Sequence, residues 1–354
     1  MGPHRSVAAF SLPTAAAVVC IVGTAAAKDH KSHDSGVPFQ HRLADHSEAL
    51  RLCDQSLEIA RRSSCPSPMW SQMLTPVLAD TNMIYVNVGA NKGYNINSFL
   101  MQYHRNWNVT NAQWRSLVSN RDCGVCHGCS EPGVVRTLKP ETKVKAVAVE
   151  MLSDNAAQLQ RIFEAFQVPG TVLHAAGGES VGEAFEPRLE PPSIWNMWNL
   201  RARDWTGQEA HGVVSDADKG VRITQVTVDH VMNTNRLQKI DILSIDTEGH
   251  DDAVIRGADV ALSAQKIRVL EFEYHATGLW AERSIHNTID YLKSRKYTCF
   301  WAGAQGELSP FLDGCNYDFK RWSNIVCSHD PQVLRVFHLL VPESFRHIAH
   351  IPSA

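Results

Sequence analysis

The stretch 240–258, IDILSIDTEGHDDAVIRGA, decides how the rest of the chain is read. Ile240, Ile242, Leu243 and Ile245 give a short apolar segment, the pattern of a buried strand. It stops at Asp246-Thr247-Glu248-Gly249-His250, where three ionisable groups gather around a glycine turn. Beyond the turn Val254, Ala258, Ala261 and Leu262 recur at helical spacing, and Asp251 and Asp252 fall in the first helical turn, where the helix dipole favours negative charge. Such a cluster can serve only to cap the helix. In open α/β sheets, however, ligands sit beyond the carboxyl ends of strands, so the acid-bearing turn is a candidate half-site.

The other half lies more than a hundred residues earlier, in 84–94, IYVNVGANKGY. A strand over 84–88 runs into Gly89-Ala90-Asn91-Lys92-Gly93. Two glycines permit a sharp turn and close approach of backbone to a ligand. The helix that follows places Ile96, Phe99, Leu100 and Tyr103 on one face, and amides at its start can face a polar group. A glycine turn alone is weak, because many such turns are connectors. A second strand over 144–149 is nearly all apolar and ends in Glu150, where a carboxylate is placed to accept hydrogen bonds from both hydroxyls of a ribose. The usual interval from glycine turn to this acid is about 20 residues, but about sixty separate them here, so an insertion at about 104–140 is looped out.

That insertion carries Cys123, Cys126, His127 and Cys129 within seven residues. A zinc site and a disulfide-stapled loop both remain open; structural zinc sites usually draw paired ligands from two separate elements, and the compartment favours disulfides. The compartment is read from the amino terminus, where Arg5, an apolar run and the small residues Ala25 and Ala27 precede Lys28 in the order of a secretory signal cleaved after Ala27. An uncleaved anchor and a transit peptide are the alternatives. Of nine cysteines, removal of Cys20 leaves eight, an even number suited to an oxidising compartment. Asn108-Val109-Thr110 is a glycosylation acceptor triplet.

Helical spacing of Leu43, Leu50 and Leu57 predicts a lead-in segment over 40–62, which a Cys53–Cys65 bridge could clip. A helix over 153–166, a third strand over 171–175 and a turn at 176–180 continue the alternation of strand and helix, which argues a parallel, doubly wound sheet. A tryptophan-rich stretch over 187–220, with Trp195, Trp198, Trp205, Arg201 and Arg203, reads as a lid over the site or as an ordering segment. With 44% hydrophobic residues in 354, the chain can bury one large α/β core. A formal net charge of −3 shows no global basic field, which argues against nucleic acid as a partner. After removal of the signal nothing approaches the length of a membrane span.

These motifs resemble the FkbM family of S-adenosylmethionine-dependent methyltransferases. VNVGANKG over 86–93, TVDHVM over 227–232, the 240–258 stretch and VLEFEYH over 269–275 carry the likeness, which covers roughly 82–327. The resemblance implies an α/β Rossmann-like methyltransferase fold, a mostly parallel doubly wound sheet with a final antiparallel strand over 323–327 after one over 297–301. It implies S-adenosyl-L-methionine as cofactor, with Asn87, Gly89, Ala90, Asn91 and Gly93 around its methionine part, Glu150 at the ribose and Asp246 beside it. Asp246, Glu248 and His250 then line the acceptor side, with His250 the first choice of base and Asp246 the second. The chain departs from the family pattern at three places: Asn87 stands where aspartate is usual, Ser244 where lysine is usual, and Asp251 where glutamate is usual.

The organisation expected is a signal peptide over 1–27, a tail and helical lead-in over 28–80, a methyltransferase domain over 81–328 and an extension over 329–354. The function expected is O-methylation of a hydroxyl on a small-molecule or glycan acceptor in the secretory lumen or outside the cell, with no metal-ligating residues named and metal dependence left open. A non-catalytic binding protein that keeps the fold is the first alternative. A nicotinamide-dependent oxidoreductase is the second, and the absence of full G-x-G-x-x-G spacing counts against it.

Overall fold

A computed structural model of the chain describes residues 46–80, 82–118, 142–187 and 220–346. The signal segment, Cys123–Cys129 and the tryptophan-rich stretch lie outside the described residues. Eleven strands are described: β1 (Asn82–Val88), β2 (Lys143–Glu150), β3 (Gly170–His174), β4 (Ala176–Gly177), β5 (Gly182–Pro187), β6 (Gly220–Val226), β7 (Ile240–Ile245), β8 (Ile267–Tyr274), β9 (Thr298–Ala302), β10 (Leu308–Pro310) and β11 (Ser323–Ser328).

Eight of them form one sheet in the order β10-β9-β11-β8-β7-β1-β2-β3. From β3 to β8 every pairing is parallel, whereas β11 runs antiparallel to both β8 and β9. Strand order reverses at β1, which is flanked by β2 on one side and β7 on the other. That reversal leaves a crevice at the carboxyl ends of β1 and β7. The apolar content of these strands has a direct cause: helices cover both faces, and β7 is buried along its whole length.

Each face packs its own core. Ile96, Phe99, Leu100 and Tyr103 of helix Tyr94–Tyr103 lie with Tyr85, Ile242 and Phe300 on one side. On the other, Val254, Ala258, Ala261 and Leu262 lie with Val86, Leu243 and Leu270. The helix after β7 is broken at Gly257-Ala258 into Asp251–Arg256 and Asp259–Ser263. A methyl on Gly257 would lie 2.1 Å from the Gly178 carbonyl, so a backbone crossing sets the break.

Two expectations are corrected. Cys53 pairs with Cys315, not Cys65, and Cys65 is itself disulfide-bonded. The reason lies in helix His46–Arg61, whose buried face is Leu52, Ser56 and Ala60 while Leu50 is 53% exposed. Ser56 bonds Tyr317 Oη at 2.8 Å, holding the helix over the antiparallel end of the sheet, where Cys315 lies. The segment 176–187 is not only a turn: β4 and β5 flank β6 in a second, three-stranded sheet. Helix Pro331–Leu340, beyond the last strand, buries Val333, Leu334 and Phe337 in the same core as helix Tyr94–Tyr103.

A second disulfide, Cys299–Cys327, joins register partners on β9 and β11. Disulfides of this kind persist in oxidising compartments. Among the described residues no helix is long and apolar enough to cross a membrane.

Candidate functional site

The two corners singled out by sequence touch. The Asp246 amide donates to the Val88 carbonyl at 2.9 Å, continuing the β1–β7 pairing past the strand ends. Gly89 has φ +80°, and a Cβ there would lie 1.7 Å from the Asp246 carbonyl oxygen. Only glycine satisfies both the left-handed backbone and that approach.

Beside this crossing opens a cleft of about 580 Å³, counted to its solvent-open mouth. Gly89 and Asn91 form its β1 wall, Glu150 to Leu152 its β2 wall, and Asp246, Thr247, Glu248 and His250 its β7 wall. Of the residues proposed from sequence, Gly89, Asn91, Glu150, Asp246, Glu248 and His250 therefore meet in one place. Asn87, Ala90 and Gly93 stand behind the wall. Asn87 is inside β1 at 1% exposure, and Ala90 packs in the core. Gly93, with φ +78°, would drive a Cβ to 2.6 Å from Leu159 and 2.9 Å from Trp114, so packing alone demands glycine there.

Glu150 is held before any ligand arrives. Its Oε2 accepts the Asn91 amide at 2.6 Å and its Oε1 the Leu152 amide at 2.8 Å. Burial nevertheless dominates, pushing its pKa up to about 7, with the charges of Asp246 and Glu186 adding to the effect. The turn amides are already used: Gly89 and Ala90 both donate to the Val149 carbonyl, and Gly93 donates to Ala90. The turn thus offers a ligand its bare backbone and its curvature, while donors must come from elsewhere. Trp114, in the insertion, donates Nε1–H to the Lys92 carbonyl at 2.8 Å and pins the turn from behind.

On the β7 side, Glu248 has φ +51° and Gly249 φ +102°. A Cβ on Gly249 would come within 2.4 Å of the Thr277 carbonyl, and Leu279 donates to the Gly249 carbonyl at 2.9 Å. The loop is pressed into shape by segment 277–279. Asp251 anchors it from below: Oδ2 accepts from Thr247 Oγ1 at 3.1 Å and Gly249 N at 3.3 Å, and Oδ1 accepts the Glu273 amide at 3.2 Å. Burial and then Asp246 push the Asp251 pKa up to about 7. Asp252, also buried, takes Arg256, Arg283 and Thr288 Oγ1. These two aspartates act as buried ties rather than as exposed dipole partners. His250 reaches the cleft with its pKa lowered, first by burial and then by the Arg283 charge, and its Nδ1 is buried without a partner.

Sequence reasoning missed a polar row across the sheet. Asn87, Ser244 and Glu271 are register partners on β1, β7 and β8, and Asp246 and Glu273 follow two residues on, so all five lie on one face. Burial raises Glu271 to about 7, a Ser244 hydrogen bond offsetting part of this and Asp246 adding to it. The signal was present in VLEFEYH: two acids at period two in a central strand of a parallel sheet break the apolar rule.

A family model described as the methyltransferase FkbM domain matches residues 122–299. No curated protein matches the sequence. Among solved structures, the METTL16 methyltransferase domain is 8% identical with a TM-score of 0.34, covering 74% of this chain; this chain spans 65% of that domain. A TehB-like SAM-dependent methyltransferase from Corynebacterium glutamicum is 8% identical, with a TM-score of 0.29 over 80% of this chain and 98% of that one. An O-methyltransferase from Bacillus cereus in complex with SAH is 9% identical, with a TM-score of 0.26 over 80% and 91%. The family match spans just over half of the 354 residues: the chain belongs to the FkbM methyltransferase family.

Proposed function

We propose that the chain transfers a methyl group from S-adenosylmethionine to a hydroxyl of a sugar or other polar metabolite. The observation that carries this reading is the Gly89–Asp246 crossing, which opens a cleft with an oriented carboxyl on one wall and an acid–imidazole corner on the other.

The residues fit the cofactor. Glu150 keeps lone pairs for ribose hydroxyls after binding two amides. Gly89 keeps side chains away from the crossing. The cofactor supplies an electrophilic methyl on a sulfonium. The chain's own work is to position the acceptor and accept a proton. His250 suits the second task because its lowered pKa keeps the imidazole neutral near pH 7. Asp246 is the second choice. Glu248, held at the cleft by its left-handed backbone, is placed to hydrogen-bond the acceptor. The two disulfides described in full, Cys53–Cys315 and Cys299–Cys327, and the secretory-type amino terminus support action in an oxidising compartment.

Calorimetric titration with S-adenosylmethionine, S-adenosylhomocysteine and NAD tests the reading. Both sulfur nucleosides bind and NAD does not. Binding of neither sulfur nucleoside removes the reading, and binding without transfer to any member of a hydroxyl library favours a non-catalytic binding protein.

A further inference from the structure

Asn108-Val109-Thr110 is the only triplet in the 354 residues that sets asparagine two positions before serine or threonine. Such triplets accept N-linked oligosaccharide on the surface loops of secreted chains. The fold puts this one in such a loop. Segment 107–110 leads into helix Asn111–Ser116 and alternates in burial: Trp107 and Val109 are 5% and 9% exposed, whereas Asn108 and Thr110 face solvent. Alternation is the mark of extended backbone, and Thr110 has φ −76° and ψ 161°. Asn108 and Thr110 therefore project to the same outer side.

That orientation is anchored from inside. The Trp107 indole donates to Asn97 Oδ1 at 2.8 Å, and Asn97 Nδ2 donates to Asn111 Oδ1 at 2.8 Å, so both flanks of the triplet are tied to helix Tyr94–Tyr103. An oligosaccharide here leaves the cleft open, because no residue of 104–118 lines it and helix Asn111–Ser116 packs behind the Gly89 turn through Trp114. The compartment agrees: Cys53–Cys315 and Cys299–Cys327 are both formed, as in the oxidising lumen where such oligosaccharides are attached.

We infer that Asn108 carries an N-linked oligosaccharide, attached as the chain enters the lumen and before helix Asn111–Ser116 closes. The inference rests on the oxidising-compartment part of the reading above and is independent of the cofactor. In the step, Asn108 Nδ2 attacks the anomeric carbon of a lipid-linked oligosaccharide pyrophosphate. The N–C bond forms as the C–O bond to phosphate breaks, the lipid pyrophosphate leaves with the electron pair, and a base of the transferring enzyme takes the amide proton. The order of events follows from Thr110, whose hydroxyl the triplet requires. In the folded chain Thr110 Oγ1 accepts the Gln113 amide at 3.2 Å and donates to Gln113 Oε1 at 3.1 Å, while the Thr110 amide donates to Gln113 Oε1 at 2.8 Å. This capping box withholds the hydroxyl once the helix has formed, so attachment comes first.

The test expresses the full chain, with its own amino terminus, in cultured animal cells, for wild type, Asn108→Gln, Thr110→Ser and Thr110→Ala. The readout is the mass of the peptide holding residue 108, before and after treatment with peptide-N-glycosidase F. Wild type and Thr110→Ser lose the mass of one oligosaccharide, and the other two variants carry none. Thr110→Ala also lowers the Tm, because the cap goes with the hydroxyl. Pulse labelling reads the order: the glycosylated fraction is complete at the end of the pulse and does not grow during the chase. Should the variants fail to fold, wild type alone decides. An unmodified Asn108 in a chain whose Cys53–Cys315 and Cys299–Cys327 bridges have formed overturns the inference and leaves the compartment reading intact. An unmodified chain with those cysteines reduced overturns both. Oligosaccharide on Asn108→Gln or Thr110→Ala overturns the assignment to this triplet, and a glycosylated fraction that grows during the chase overturns the order of events.

Discussion

A methyl group at position 89 has nowhere to go, because it would overlap the Asp246 carbonyl and the backbone there is left-handed. Gly89→Ala therefore costs at least about 1–3 kcal/mol from the backbone alone, and the clash forces the two corners apart. Its expected signature is a lowered Tm together with loss of S-adenosylhomocysteine binding; retained binding would mean that the crossing is not the cofactor site. His250 makes the opposite prediction. His250→Gln leaves the nucleoside affinity within about twofold and lowers the transfer rate by about 10²–10⁴, the usual range for losing a general base. At this scale the sequence was informative where backbone geometry demands one residue type, as at Gly89, and where an acid ends a strand, as at Glu150. It singled out Asn87 but not the burial of its oxygen without a donor, which depends on the neighbouring strand rather than on its own context. Gly93 shows the converse, since the Leu159 and Trp114 side chains that require a glycine there come from distant elements.

Among elements, the strands and helices of the parallel half were legible because apolar periodicity is strongest where both faces are covered. Helix Ser153–Phe166 lies where its pattern puts it. The second sheet was not legible: β5 and β6 are polar strands whose pairing, Gly182 with Gln225 to Pro187 with Gly220, is settled by tertiary contact. Helix His46–Arg61 was found, but its buried face was misjudged, because the Cys53–Cys315 bridge and the Ser56–Tyr317 contact come from a partner 250 residues away or more. That bridge closes a loop of 262 residues. Replacing both cysteines, Cys53→Ser with Cys315→Ser, is expected to cost roughly 2–5 kcal/mol. Thermal unfolding reads the loss, and nucleoside affinity at low temperature stays within about twofold because the bridge lies at the antiparallel end of the sheet. A variant as stable as wild type would show that packing alone holds this helix.

For the whole molecule, the cluster of carboxyls at the sheet's carboxyl edge couples function to stability. Glu150, Asp251 and Glu271 each sit at about 7 in the folded chain, above their ordinary values near 4, chiefly through burial. Folded pKa values above the unfolded ones mean that the folded state binds more protons. The stability they contribute is fully present below about pH 4 and is lost as pH rises through 7. Asp318 and Asp330 are shifted downward and remain ionised throughout that window, so they do not oppose the trend. His250, His275 and His329, lowered by burial, gain stability as pH rises to about 6.5 and oppose the trend only below that, so the Tm of the ligand-free protein is expected to fall between pH 6.5 and pH 8, a dependence that a flat or rising Tm there would contradict.

The claim on which all of this turns is that one cleft, between the Gly89 turn and the Asp246 corner, holds the methyl donor. A crystal structure of the full chain grown with S-adenosylhomocysteine measures it directly. The account predicts the nucleoside in that cleft, its ribose hydroxyls within hydrogen-bond distance of Glu150 and its sulfur on the Asp246 side of the turn. Nucleoside bound elsewhere, or a ribose held by other residues with Glu150 still bonded only to Asn91 and Leu152, would contradict it.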